Sequence, residues 1–76
     1  MAVTASPSDA LQRRIGARIR ELRSMRGLTQ VGLARRSGVS RPSVANAEAG
    51  RQNFTLRHLC ALASALDVAV EDLLAL

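Results

Sequence analysis

Glycines at positions 27, 38 and 50 cut a chain whose apolar residues otherwise recur at helical period, and that spacing limits it to a set of short helices. Ahead of the first glycine, Leu11, Ile15, Ile19 and Leu22 fall at intervals of four, four and three, one stripe along a helix face. Ser8 is the predicted cap of this helix and Asp9 its first residue, where a negative charge meets the positive end of the helix dipole. Gly27 ends it. Thr29 then caps a second helix with Leu33 and Ala34 inward, and Gly38 supplies the left-handed residue that closes it. Ser40 caps a third helix, with Pro42 in its first turn where no intrahelical partner is lost, and Gly50 ends that one. Thr55 opens a fourth, whose stripe reads Leu56, Leu59, Cys60, Ala63 and Leu66 and makes Cys60 a small core residue. A brief fifth helix is expected over residues 70–74, poorly capped by Ala69 but helped by Glu71 and Asp72 in its first turn. No strand-like alternation and no repeat interrupts the series. The predicted architecture is all-α, a five-helix orthogonal bundle over residues 8–76 behind a flexible arm over residues 1–7.

A chain of 76 residues is near the lower limit at which a hydrophobic core alone sustains a fold, so function has to come from a surface or a partner. With one Phe and no Trp or Tyr, the core must be built from Leu, Val, Ile and Ala, and stacking on single-stranded bases lacks the rings it needs. The eleven basic residues are all Arg, which forks onto phosphates and guanine edges better than Lys does. Their distribution is uneven: residues 1–51 carry +7, whereas residues 52–76, with Arg57 against Asp67, Glu71 and Asp72, carry −2. A basic front and an acidic, Leu-rich back imply that one part faces a polyanion while the other packs against protein. Cys60 is the only cysteine, so there is no internal disulfide and no thiol cluster to hold a metal. One His, one Cys and no carboxylates paired for acid-base work speak against an enzyme, and no cofactor is expected. No apolar run approaches the roughly 20 residues that span a bilayer, and no signal peptide opens the chain, so a cytoplasmic location without membrane contact is expected.

The informative segment is residues 30–49, where two short helices meet at Gly38 with Val39 inward. A helix-turn-helix requires a small residue where the helices cross, a glycine at the turn and apolar positions that fix the angle of the second helix. Ala34, Gly38, Val39 and Val44 meet those needs in order, and Ala47 fills the last apolar slot with less volume than the usual Ile or Leu. The stretches "IGARIRELRSMRGLTQ", "LARRSGVSRPSVANAEAG" and "LRHLCALASALDVAVEDLL" together resemble the phage repressor and Cro family, also called the xenobiotic-response-element family. The resemblance covers residues 15–74 in several independent segments and implies a lambda-repressor-like helix-turn-helix domain that regulates transcription.

It also implies that residues 41–49 form the recognition helix, lying in the major groove of duplex DNA. Arg41 can offer forked donors to guanine and Asn46 a donor-acceptor pair to adenine, while Ser43 can bond base or phosphate and Pro42 can touch a thymine methyl. Gln30 matches a position that grips the sugar-phosphate backbone, assisted by the free amides of its helix end, and Ser40, Arg51 and Asn53 frame the groove with further phosphate contacts. Arg35 and Arg36 can touch phosphate, but they equally suit the negative end of their own helix dipole. Arg23 and Glu48 match a partly buried ion pair that ties the first helix to the recognition helix. Arg13, Arg14, Arg18, Arg20, Arg26 and His58 are read as solvated. Three departures from the family pattern are Gly32 inside the second helix, which costs roughly 1 kcal/mol relative to Ala, the small Ala47, and Ala49 in place of a polar residue.

One recognition helix reads only a few base pairs, so a homodimer on a palindromic operator is expected, with half-sites about one helical turn apart. Val70, Leu73, Leu74 and Leu76 carry more apolar surface than one short helix buries beneath itself, and are the predicted dimer interface; packing into the chain's own core is the alternative. No small-molecule effector is expected. The stretch "GRQNFTL" is somewhat similar to the controller proteins of restriction-modification systems, which makes repressor or controller the expected role. The alternative from another class is an antitoxin-like protein-binding module, although only residues 1–7 would be available to wrap a partner.

Overall fold

A computed structural model of the chain describes residues 7–51 and 54–74. It contains five helices, α1 (Pro7–Met25), α2 (Gln30–Ser37), α3 (Arg41–Glu48), α4 (Leu56–Ala65) and α5 (Val70–Leu73), and no strand among the described residues. The expected all-helical bundle is what forms. Polar caps start the middle three helices: Thr29 Oγ1 accepts from the Gly32 amide at 2.9 Å, Ser40 Oγ from Ser43 at 3.3 Å and Thr55 Oγ1 from His58 at 3.0 Å. Glycines end the first three, at φ +67 for Gly27, +76 for Gly38 and +71 for Gly50, a region L side chains enter only with strain. At α5, where Ala69 has no capping side chain, Asp72 Oδ2 reaches back to accept from the Ala69 amide at 3.0 Å, which supplies half of a capping box.

The start of α1 differs from expectation. α1 begins at Pro7, so Ser8 is a helical residue rather than the cap, and proline suits the first turn because its missing N–H has no partner there anyway. The rest of the expected arm, residues 1–6, lies outside the described residues.

The core joins Ile15, Ile19 and Leu22 of α1, Leu33 of α2, Val39 and Val44 around the α2–α3 turn, Leu59, Leu62 and Leu66 of the α4 segment, and Leu73. In α4 the expected Leu59, Ala63 and Leu66 are buried, joined by Leu62 and Ala65. Leu56 is 70% exposed and Cys60 is an exposed free thiol, so the expectation that both face inward is corrected. Apolar residues follow one another so closely between Leu59 and Leu66 that two stripes fit the helical period, and packing against α2 and α5 selects one of them. Asp67, with φ +59, turns the chain out of α4 in the conformation glycine usually takes, and the Val68 amide closes onto Ala63 O at 3.0 Å.

A second correction falls on α5. Leu73 is only 2% exposed and belongs to the chain's own core, which removes it from the predicted dimer interface, while Val70 and Leu74 are partly buried against that core. Leu76 lies outside the described residues. No helix among the described residues is long and apolar enough to cross a membrane.

Candidate nucleic-acid interface

α2 and α3 meet through Gly38, Val39 and Ser40, and local bonds hold the corner. The Gly38 amide donates to Ala34 O at 2.9 Å, and Ser37 Oγ links Ala34 O to the Val39 amide, donating to the first at 3.3 Å and accepting from the second at 3.1 Å. Val39 is buried, so the corner is pinned to the core from below. Ala34, expected at the crossing, is partly buried against the same core.

α3 is two-sided. Val44 and Ala47 are buried, whereas Arg41, Pro42, Asn46 and Ala49 are exposed. Three of the four residues assigned to base contacts therefore share the open side of one helix, with Arg41 and Pro42 in its first turn. The fourth, Ser43, is half-buried and its oxygen accepts a 2.9 Å hydrogen bond from Ser40 Oγ. The Ser40 proton is thus spent on Ser43 while its oxygen caps the helix, so the hydroxyl proton left to point outward is that of Ser43.

Beneath α3 the predicted pair is present and larger than expected. Arg23 Nε donates to Glu48 Oε2 at 2.6 Å and Nη2 to Oε1 at 3.1 Å, a bidentate contact with side chains 15% and 4% exposed. The third guanidinium nitrogen, Nη1, donates to Leu28 O at 2.8 Å, and Gln30 Nε2 donates to Glu48 Oε1 at 3.2 Å. Four segments are knotted around this one ion pair: α1, the α1–α2 joint, the start of α2 and the end of α3. Donating to the Glu48 carboxylate pushes the Arg23 guanidinium above its ordinary range, against the opposing effect of burial, so it stays charged. Gln30, assigned to the DNA backbone, has one amide proton committed to Glu48; its second amide proton and its oxygen remain for other partners.

Sequence reasoning missed Gly16. A Cβ built there would lie 2.2 Å from the carbonyl oxygen of Ala47 and 2.8 Å from that of Glu48, so α1 and α3 touch backbone to backbone at this point. A glycine inside an otherwise good helix former was the signal, because it costs about 1 kcal/mol there unless something needs the space. So close an approach also leaves little room for a large residue at position 47. Gly50, just past α3, is likewise held close to α1, its would-be Cβ 2.7 Å from Arg13 Cγ.

Around α3, Arg35 and Arg51 are exposed. Arg36, also exposed, lines a hollow with Leu22, Met25 and Arg26 at the end of α1. Asn53 lies outside the described residues. On α1, Arg20 borders a groove shared with Gln30, Ala45 and Ala49. Among the described residues no cluster of His, Cys, Asp and Glu is arranged to hold a metal ion.

Residues 14–76 match the family described as "Helix-turn-helix domain". An uncharacterized HTH-type transcriptional regulator from Archaeoglobus fulgidus is 39% identical over 56 residues, which is 74% of this chain and 80% of that protein. The restriction-modification controller protein C.AhdI from Aeromonas hydrophila superposes with a TM-score of 0.82 at 41% identity, over 84% of this chain and 97% of that one. The hypothetical transcription factor NHTF from Neisseria gives a TM-score of 0.82 at 30% identity, over 97% of this chain and 85% of its own.

Proposed function

The chain belongs to the helix-turn-helix family of transcription regulators, and from that premise we propose that it reads a palindromic operator as a homodimer, with α3 in the major groove. The observation that carries this reading is the two-sidedness of α3. One side is held against α1 by Gly16 and the Arg23–Glu48 pair, and the other presents Arg41, Pro42 and Asn46 to solvent. Rigid support behind an exposed polar face is what base-edge recognition requires, because hydrogen-bond readout depends on a fixed approach of the helix.

Arg41 reads guanine, Asn46 adenine, Ser43 donates its free hydroxyl proton to a base or phosphate, and Pro42 meets a thymine methyl. Gln30, Arg51 and Asn53 grip phosphates, as does Arg35, whereas the Ser40 hydroxyl is taken up by Ser43 and the cap of α3; the position of Arg36 beside α1 favours its role at the helix C-terminus. Among regulators, a controller role in a restriction-modification system is the best supported, since the chain is 41% identical to C.AhdI over nearly all of that protein.

Selection of bound duplexes from a random pool tests the whole reading, and two half-sites related by a two-fold axis are the expected recovery. On the selected site, Arg41→Ala and Asn46→Ala should each relax preference at one base pair, with a cost of about 1–3 kcal/mol, whereas Arg51→Ala should weaken all sequences alike. Recovery of no preferred sequence, or equal effects of all three substitutions, would overturn the assignment.

A further inference from the structure

We propose that α1 contributes a DNA contact of its own, in which Arg20 holds a backbone phosphate in the groove between α1 and the C-terminal half of α3. The proposal rests on α3 being the helix that enters the major groove, and adds a grip from a helix otherwise described only as a brace. The groove, about 290 Å³, is lined by Arg20, Arg23, Gln30, Ala45, Glu48 and Ala49. It lies along the flank of α3, and a duplex that takes α3 into its major groove must run its phosphates past the flanks of that helix, one charge per roughly 1.7 Å of axis.

Charge decides what the groove accepts. Its only carboxylate, Glu48, is 4% exposed and already accepts hydrogen bonds from Arg23 and Gln30. Arg23 is consumed by the same pair. The remaining charge is the Arg20 guanidinium, exposed, and paired with no carboxylate among the described residues. Its neighbours along α1 are occupied: Arg18 pairs with Glu21 and donates to Asp72 O at 3.3 Å, and Arg26 lies 3.8 Å from Asp67. Arg20 alone of these is both unpaired and turned to α3.

Shape agrees with charge. Ala45 of α3 and Ala49 at its C-terminal cap form the wall opposite Arg20, and their methyl groups let a phosphodiester approach the helix closely. At Ala49 the chain lacks a polar side chain to reach phosphate from α3, and Arg20 supplies the donor from the opposite wall, with a planar fork that matches phosphate oxygens. The second amide proton of Gln30, which lines the same groove, is a further donor for that phosphate.

The test is duplex affinity measured against salt for the full chain and for Arg20→Ala, Arg20→Lys and Arg14→Ala, using one mixed-sequence duplex and one duplex recovered from the random pool. Arg14 is the matched control, because it lies one turn from Arg18 on the side of α1 that meets α5 and its loss changes net charge equally. Arg20→Ala should weaken both duplexes alike and make the log-affinity against log-salt slope shallower by about 0.9, the release of one phosphate's counterions. Arg20→Lys should restore the slope, and Arg14→Ala should leave it unchanged. A wild-type slope in Arg20→Ala, or the same loss in Arg14→Ala, overturns the contact. If instead the unaltered chain distinguishes no sequence in the pool, the regulator reading itself fails, and the contact with it.

Discussion

Gly16 sets the distance between the brace and the reading helix. Both atoms that a Cβ at this position would strike, the carbonyl oxygens of Ala47 and Glu48, are backbone atoms of α3, so no rotamer change can make room. Gly16→Ala must therefore push α1 and α3 apart. The expected cost is about 1–3 kcal/mol of stability, as for overpacking of a tight core, read as a lower urea midpoint. DNA affinity at low denaturant should fall as well, because the open side of α3 moves with its backbone. An unchanged midpoint would mean that the helices do not meet this closely. Chain periodicity hides this residue: the Leu and Ile stripe makes α1 obvious, and only the presence of glycine within it marks the contact. The Arg23–Glu48 pair is hidden differently, since its members are 25 residues apart and no helical spacing relates them. Family resemblance supplied that pair, but not the participation of Gln30, whose amide has two competing destinations.

Helix ends were legible wherever a particular side chain or glycine sets them. Thr29, Ser40 and Thr55 cap, and Gly27, Gly38 and Gly50 terminate, because each chemistry is local and needs no knowledge of the rest of the fold. The register of α4 was legible only in part: Leu59, Ala63 and Leu66 face inward as expected, but Leu62 and Ala65 take the place of Leu56 and Cys60 beside them. Its apolar run supports two stripes, and neighbouring helices remote in sequence choose between them. Gly32 shows how much slack one element retains. It stands inside α2 at ordinary φ, and a Cβ there would sit 3.3 Å from Thr29 Oγ1 and 3.5 Å from Leu28 Cδ2. The nearer atom belongs to an exposed cap that can shift by a few tenths of an ångström. Gly32→Ala should accordingly stabilise the protein by just under about 1 kcal/mol, the helix-propensity difference, seen as a higher urea midpoint. A lower midpoint would show that the added methyl group displaces the Thr29 cap, whose loss costs about 1 kcal/mol.

At the scale of the whole molecule, the burial of Leu73 changes what association can use. A substitution there would test folding, not assembly, since the side chain is part of the core that joins α1, α4 and α5. What the α4–α5 face leaves open is exposed Leu56 and a groove of about 590 Å³ in which Cys60, Ala63, Val68, Ala69 and Val70 stand beside Ser64, Asp67 and Asp72. A groove that mixes apolar residues with the carboxylates of Asp67 and Asp72, on a chain whose arginines lie mostly before α4, suits a surface that meets protein rather than DNA. For a two-fold dimer on this face, Cys60→Arg places a charge in the interface at an exposed position, where the monomer fold has little to lose. Sedimentation should then report the dimer mass for the unaltered chain and the monomer mass for Cys60→Arg. The unfolding temperature of the former should rise with protein concentration and that of the latter should not, because only association links stability to mass action. Dimer mass retained by Cys60→Arg would move the interface elsewhere, and with it the spacing of the two α3 helices on the operator.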